Sequence, residues 1–220
     1  NMSSSGIGKV AVLTQFNSRS LRDHLMSSKW WDFGRKQGGL FVFTPYTSKE
    51  GSTWFRGTAD SIYQNMTFLK RSNEDYVVIT SGDSIYKMDY KKVIKEHVAK
   101  GADITVVYQN MAGKDLTKFG VMEMDADGKL VGFEEKPEQP KSENASLGIY
   151  VISRTLLINL LEQAIPEGKY DLVKDIIIRF IPTLKIYGYE YDGYWSAIGA
   201  GTAAYFATNM DFLDKEVRDH

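Results

Sequence analysis

Cysteine is missing from all 220 residues, which excludes disulfide staples, thiolate nucleophiles and cysteine-ligated metals. An intracellular, cytoplasmic setting is the simplest match to that absence. An excess of charge is also missing, since 27 basic side chains stand against 28 acidic ones for a net charge of −1. That balance argues against a general electrostatic hold on nucleic acid or on an anionic membrane surface, both of which call for a basic face. No apolar run approaches the roughly 20 residues of a membrane span, and the opening Asn1-Met-Ser-Ser-Ser-Gly6 has neither the charged nor the apolar region of a signal peptide. Internal repeats and low-complexity tracts are absent as well. What is present, 43% hydrophobic residues with 25% charged ones, suffices to bury a substantial core, most simply in one domain.

The chain alternates strand-like and helix-like stretches. Lys9-Val-Ala-Val-Leu-Thr-Gln15 reads as a strand, Ser18 to Met26 as a short helix, and Leu40-Phe-Val-Phe-Thr44 as a strand ended by Pro45. Thr58 to Arg71 reads as one helix, with apolar Ile62, Met66 and Leu69, leading into the apolar strand Tyr76-Val-Val-Ile-Thr80. Asp89 to Lys100 follows as a helix stopped by Gly101, and Ala102 to Tyr108 as a strand. Val121 to Met124 and Lys129 to Glu135 flank Asp125-Ala-Asp-Gly128, which predicts an antiparallel hairpin inserted into the parallel section. Ser146 to Ile152 and Leu184 to Tyr191 read as strands. Thr155 to Ala164, Val173 to Phe180 and Thr202 to Leu213 read as helices. The expectation is a Rossmann-like α/β domain: a mixed, mostly parallel sheet with helices on both faces and an antiparallel hairpin insertion.

Three stretches carry chemistry. Asp83, in Gly82-Asp-Ser-Ile-Tyr-Lys-Met-Asp-Tyr90, follows the buried strand at the edge where open α/β sheets bind ligands. It is either a metal-holding carboxylate or a turn residue capping the helix that opens near Asp89. Lys49-Glu-Gly-Ser-Thr-Trp-Phe-Arg56 is a polar loop ending in two aromatics and an arginine just before Gly57-Thr-Ala-Asp60 opens a helix. It is either a ligand lid beside a helix N-terminus with unpaired amides, or a pair of aromatics plugging a sheet edge. In Phe133-Glu-Glu-Lys-Pro137, a lysine could pin a phosphate while a carboxylate accepts sugar hydroxyls, or the charges could simply protect an edge strand.

Together these stretches resemble a known family. Trp54-Phe-Arg-Gly-Thr-Ala-Asp60, Ser81-Gly-Asp-Ser-Ile-Tyr-Lys-Met-Asp-Tyr90, Phe119-Gly-Val-Met122, Phe133-Glu-Glu-Lys-Pro137 and Ser146-Leu-Gly-Ile-Tyr150 are similar, in order, to successive motifs of glucose-1-phosphate adenylyltransferases (ADP-glucose pyrophosphorylases). Lys174-Asp-Ile-Ile177 and Gly193-Tyr-Trp195 extend the match over essentially the whole chain. The resemblance implies a nucleotidyltransferase (nucleotide-sugar pyrophosphorylase) domain over residues 1–220. In that family the phosphate of glucose 1-phosphate attacks the α-phosphorus of ATP, pyrophosphate leaves, and ADP-glucose feeds glycogen or starch synthesis. It gives Asp83 the role of catalytic Mg²⁺ ligand, and places Gly57, Thr58, Ala59 and Asp60 at the nucleotide. Lys136 would bind the sugar phosphate, Glu135 the glucose hydroxyls, and Gly120 and Ser146 would shape the sugar pocket.

The sequence departs from that family at several ligand-facing positions. Active members read Gly-Tyr-Trp-Lys-Asp-Val-Gly near the domain end, with that Asp as second Mg²⁺ carboxylate, whereas this chain has Gly193-Tyr-Trp-Ser-Ala-Ile-Gly199. Ala197 cannot ligate a metal. Tyr46-Thr47 stands in place of glutamines, and Asn17 in place of the usual lysine. Neither the family's N-terminal glycine-rich loop nor its C-terminal β-helix has a counterpart here, so the domain is expected to be an N-terminally incomplete part of a longer protein. The pattern is similar to the D-type glycogen biosynthesis subunit that pairs with a catalytic C-type adenylyltransferase subunit. That likeness implies a weakly active or inactive partner in a hetero-oligomer or homo-oligomer. Mg²⁺ and ATP would not be bound productively, while glucose 1-phosphate or ADP-glucose is still accommodated. A fully catalytic glucose-1-phosphate adenylyltransferase is the alternative.

Overall fold

The computed structural model describes residues 1–26, 31, 38–45, 54–199 and 201–219. They fall into two compact units. A sheet unit comprises Asn1, Val78–Val151 and Lys185–His220, and an N-terminal unit comprises Met2–Val77 and Ile152–Leu184.

In the sheet unit the strands run in the order β7 (Leu130–Glu135), β6 (Gly120–Met124), β8 (Asn144–Ser153), β5 (Ile104–Asn110) and β9 (Ile186–Glu190), and β3 (Tyr76–Thr80) also pairs with β8. Runs such as Ile104-Thr-Val-Val107 and Leu147-Gly-Ile-Tyr-Val-Ile152 are β-branched and apolar, as strands covered on both faces require. Ile104, Val106, Val107, Leu147, Ile149 and Val151 are all buried. β5 and β9 pair in parallel, Ile104 opposite Ile186. β6 and β7 form the expected antiparallel hairpin. Its turn closes because Asp125 Oδ1 accepts the amides of Asp127 and Lys129 at 3.0 and 2.8 Å, while Gly128 takes a left-handed φ of 77°. Helix α4 (Tyr90–Ala99) starts where the Asp89 carboxylate accepts Lys91 N at 3.0 Å and ends at Gly101, φ 55°.

The N-terminal unit holds a two-stranded parallel sheet, β1 (Lys9–Leu13) with β2 (Gly39–Phe43), together with helices α1 (Ser18–Leu25), α2 (Thr58–Gln64), α3 (Met66–Lys70) and α5 (Arg154–Ala164). Phe41 and Phe43 meet the edge of Phe68 at 5.2 and 5.5 Å between centroids. The Lys9 ammonium sits 4.7 Å over the Phe68 ring and 2.7 Å from Ser72 Oγ. Helix α5 buries Leu157, Leu160, Leu161 and Ala164, the 3–4 spacing of one helical face.

Two expectations are corrected. The single helix over 58–71 is two helices, because Asn65 leaves helical geometry (φ −106°, ψ 21°) and its side chain donates to Ser61 O at 2.9 Å, an alternative to continued helix. The stretch after Asp83 forms a strand, β4 (Ser84–Tyr86), pairing antiparallel with β10 (Trp195–Ala197). Asp83 therefore caps no helix, and Asp89 performs that role. The chain closes with α6 (Thr202–Asp211) and α7 (Lys215–Asp219). Among the described residues no helix is long and apolar enough to cross a membrane.

His97 of α4 is 1% exposed, with Nδ1 2.8 Å from Thr105 Oγ1. Burial lowers its pKa below the ordinary 6.5, and Asp103 opposes that only in part. The unfolded chain then binds a proton that the folded chain refuses, so the stability contribution is complete above about pH 6.5 and is lost as pH falls below it. Thermal melts between pH 8 and pH 5 should show midpoints dropping below pH 6.5, with a shallower drop in His97→Gln.

Candidate functional site

In the sheet unit, Asp83 lies in the connection between β3 and β4. The Ser81 hydroxyl donates to its Oδ1. The Asp83 main-chain oxygen accepts the amides of Ile198 and Gly199 at 2.8 and 3.3 Å, and Ala197 pairs with Ser84. The end of β10 is thus fastened directly beside the carboxylate. A Cβ on Gly199 would stand 2.7 Å from Asp83 Oδ2, so a side chain there would oblige the carboxylate to shift. The side chain that β10 presents at 197 is a methyl group. Among the described residues no cluster of three His, Asp or Glu side chains could hold a metal ion. The donor set does not fit the two-carboxylate Mg²⁺ site that the resemblance implies, since it offers one carboxylate already accepting from a serine.

Three adjacent strands gather the other expected residues of this unit. Gly120 pairs with Glu135 across β6 and β7, and Val121 pairs with Ala145, which puts Ser146 next to Gly120 in register. A Cβ on Gly120 would meet the Phe133 ring at 2.5 Å and Glu135 Oε2 at 3.1 Å, so glycine leaves room for both. Ser146 is buried. Lys136 follows β7 with φ 51°, a left-handed conformation that non-glycine residues avoid. Its amide donates to Phe119 O at 2.9 Å, and its mostly exposed ammonium lies 3.9 Å from Glu135 Oε1.

The residues expected at the nucleotide, Gly57 to Asp60, are in the N-terminal unit, where the structure ties them to the segment 170–172. Ala59 N and Asp60 N donate to Tyr170 O at 2.8 and 3.3 Å, and Thr58 Oγ1 accepts Leu172 N at 2.9 Å. A Cβ on Gly57 would fall 2.4 Å from Tyr170 O. The amides of Ala59 and Asp60 in the first turn of α2, and the threonine oxygen as an acceptor, are therefore taken by the protein itself. Asp60 is fully buried and accepts from Arg56 N, Nε and Nη2 at 2.8, 3.4 and 3.0 Å and from Gln64 Nε2 at 2.9 Å. Burial pushes its carboxyl up, but the Arg56 and Gln64 bonds outweigh this and leave its pKa below the usual range. Arg56 Nη1 donates to the Tyr170 hydroxyl at 2.7 Å, and the guanidinium lies 4.0 Å from the ring centroid. Tyr170 is the partner that sequence reasoning missed. The Arg56–Asp60 pair had a visible signal, an acid in the first turn of a helix with an arginine four residues earlier, but Tyr170 had none.

Trp54 is 53% exposed, so it plugs no core. Asn17 sits before α1 with φ 46°, a left-handed position that asparagine tolerates better than the lysine expected there. Tyr46, Thr47 and the loop from Lys49 to Thr53 lie outside the described residues.

Comparison with known proteins decides the family. A family model described as nucleotidyl transferase matches residues 1–215. The chain belongs to the nucleotidyl transferase family. The mixed α/β fold expected of it is the fold observed. The chain is 40% identical over 219 residues to a glucose-1-phosphate adenylyltransferase of Clostridium perfringens, covering 98% of this chain and 56% of that protein. It is 37% identical to one of Fervidobacterium nodosum (97% and 52%) and 40% identical to one of Lachnospira eligens (97% and 51%). It thus spans about half the length of these curated relatives.

Gly57→Ala should force the turn off the Tyr170 carbonyl and cost about 1–3 kcal/mol, read as a lower midpoint in urea unfolding with little change in slope.

Proposed function

We propose that this nucleotidyl transferase acts in glycogen synthesis as a weakly active or silent regulatory subunit of glucose-1-phosphate adenylyltransferase, paired with a catalytic C-type subunit in a hetero-oligomer. The observation that carries this reading is that Ala197, whose next two residues bond the Asp83 carbonyl through the amides of Ile198 and Gly199, carries a methyl group where the resemblance calls for a second carboxylate. The names of the relatives support the adenylyltransferase branch. The reaction at issue joins the phosphate oxygen of glucose 1-phosphate to the α-phosphorus of ATP and breaks the bond to the leaving pyrophosphate. Its transition state gathers negative charge, which an enzyme must neutralise with positioned positive groups. A site with one carboxylate fewer holds a divalent cation less well, so chemistry suffers before binding does. The sugar-phosphate half, Gly120, Glu135, Lys136 and Ser146, keeps side chains suited to glucose 1-phosphate or to the glucosyl phosphate of ADP-glucose. Recognition of ligand thereby outlasts turnover.

Pyrophosphate release by the full-length protein with ATP, glucose 1-phosphate and Mg²⁺ tests this directly. The expected result is little release alone and altered release when a C-type subunit is added. High activity alone would identify a fully catalytic adenylyltransferase instead. Ala197→Asp should raise release by about tenfold or more, the factor that corresponds to roughly 1.4 kcal/mol of barrier. No gain would assign the deficit to positions other than 197.

A further inference from the structure

Arg56 touches two side chains of the N-terminal unit at once, and each contact bears on the Gly57 turn. Its Nε and Nη2 reach the buried Asp60, its Nη1 reaches the Tyr170 hydroxyl, and its plane covers the Tyr170 ring. A wholly buried carboxylate is a costly way to fill space, and a well-packed apolar side chain of similar volume is often as stable or more so. An arginine that is itself 46% exposed adds little packing in return. What the trio does provide is geometric. It closes the loop from Arg56 to Asp60 on itself and holds it against the one carbonyl, Tyr170 O, that also receives Ala59 N and Asp60 N. The peptide at Gly57 is thereby fixed from both sides with no side chain of its own in the way.

The far side of the clasp is unusual too. Asp171 Oδ1 accepts the amides of Val173 and Lys174 at 2.9 and 2.8 Å, and Val173–Ile178 is wound as a π-helix. Such windings are rare and are frequently found at functional sites. The 170–178 segment is therefore held in a specific shape against the turn.

We propose that Arg56 is a positioning residue for nucleotide recognition, holding the Gly57 turn in its binding shape through Asp60 and Tyr170. This rests on the reading that residues 57–60 lie against the nucleotide. Arg56 does not itself touch the ligand. It acts by keeping the turn from moving, and displacements of about 1 Å in such supports can cost up to a hundredfold.

Isothermal titration on the full-length protein, with ADP-glucose and separately with glucose 1-phosphate, tests the proposal. Arg56→Ala should weaken ADP-glucose binding about tenfold or more while leaving glucose 1-phosphate affinity unchanged. Arg56→Lys should recover only part, because an ammonium cannot reproduce the fork to Asp60 or the stack on Tyr170. Tyr170→Phe keeps Asp60 paired and so guards against misfolding. It should weaken ADP-glucose by a smaller factor, again without effect on glucose 1-phosphate. Unchanged ADP-glucose affinity in Arg56→Ala and Tyr170→Phe would overturn the proposal alone. Equal weakening of both ligands would overturn it in favour of a purely structural clasp. Failure of the parent protein to bind ADP-glucose, with glucose 1-phosphate still bound, would overturn the nucleotide reading and this inference together.

Discussion

The burial of one strand governs the sheet unit. β8 pairs with β6, β5 and β3, and from Ala145 to Ile152 every residue except Gly148 is buried. Each large apolar side chain removed from water in this way contributes about 1.5–3 kcal/mol, so β8 fixes its neighbours in register far more firmly than any surface contact could. Ser146 is held on that strand, and Gly120 is held next to it through the Val121 to Ala145 pair. The candidate sugar-phosphate residues inherit their relative positions from the core. Gly120, Glu135 and Ser146 sit at strand positions and Lys136 directly follows β7, which suits a site that must keep its shape.

The N-terminal unit solves a different problem. A short helix such as α2 leaves several amides without helical partners at its start. Here the Tyr170 carbonyl supplies an acceptor from within the protein for two of them, Ala59 N and Asp60 N. The expected attraction of the helix end for a phosphate is accordingly spent on the fold. What remains at this turn is its shape, which the close approach of the Tyr170 carbonyl to Gly57 sets.

The position of β10 matters for chemistry because backbone bonds, not side chains, place it. Ile198 N and Gly199 N grip the Asp83 carbonyl whatever residue occupies 197. A change from carboxylate to methyl at that point leaves the backbone frame intact and removes only the donor. Ser196 next to it bonds Thr208 of α6 at 2.7 Å, tying the strand to its neighbouring helix. This local economy is what a subunit retaining a fold while losing turnover would need, and it is the physical core of the proposed function.

Much of this was legible in the amino-acid order. The apolar runs at 76–80 and 146–152, the Asp125 to Gly128 turn and the Gly101 stop marked their elements because each depends on nearby residues: β-branched packing, an Asx turn, a left-handed glycine. The motifs around Asp83 and Lys136 in the sheet unit, and around Gly57 in the N-terminal unit, stood out for a similar reason, since each lies within a few residues of a strand or helix end. The break at Asn65 and the β4 to β10 pairing were not legible. The first turns on a side chain choosing its own backbone over the helix, and the second joins residues 84–86 to 195–197, far apart in sequence. Likewise, no local pattern could say that Tyr170 would take the amides of α2. The sequence by itself determined which residue types stand at the candidate site, above all the methyl at 197. Only the tertiary structure decided which of their hydrogen-bonding groups are already committed, because the partners of Thr58, Ala59 and the Asp83 carbonyl lie more than a hundred residues away.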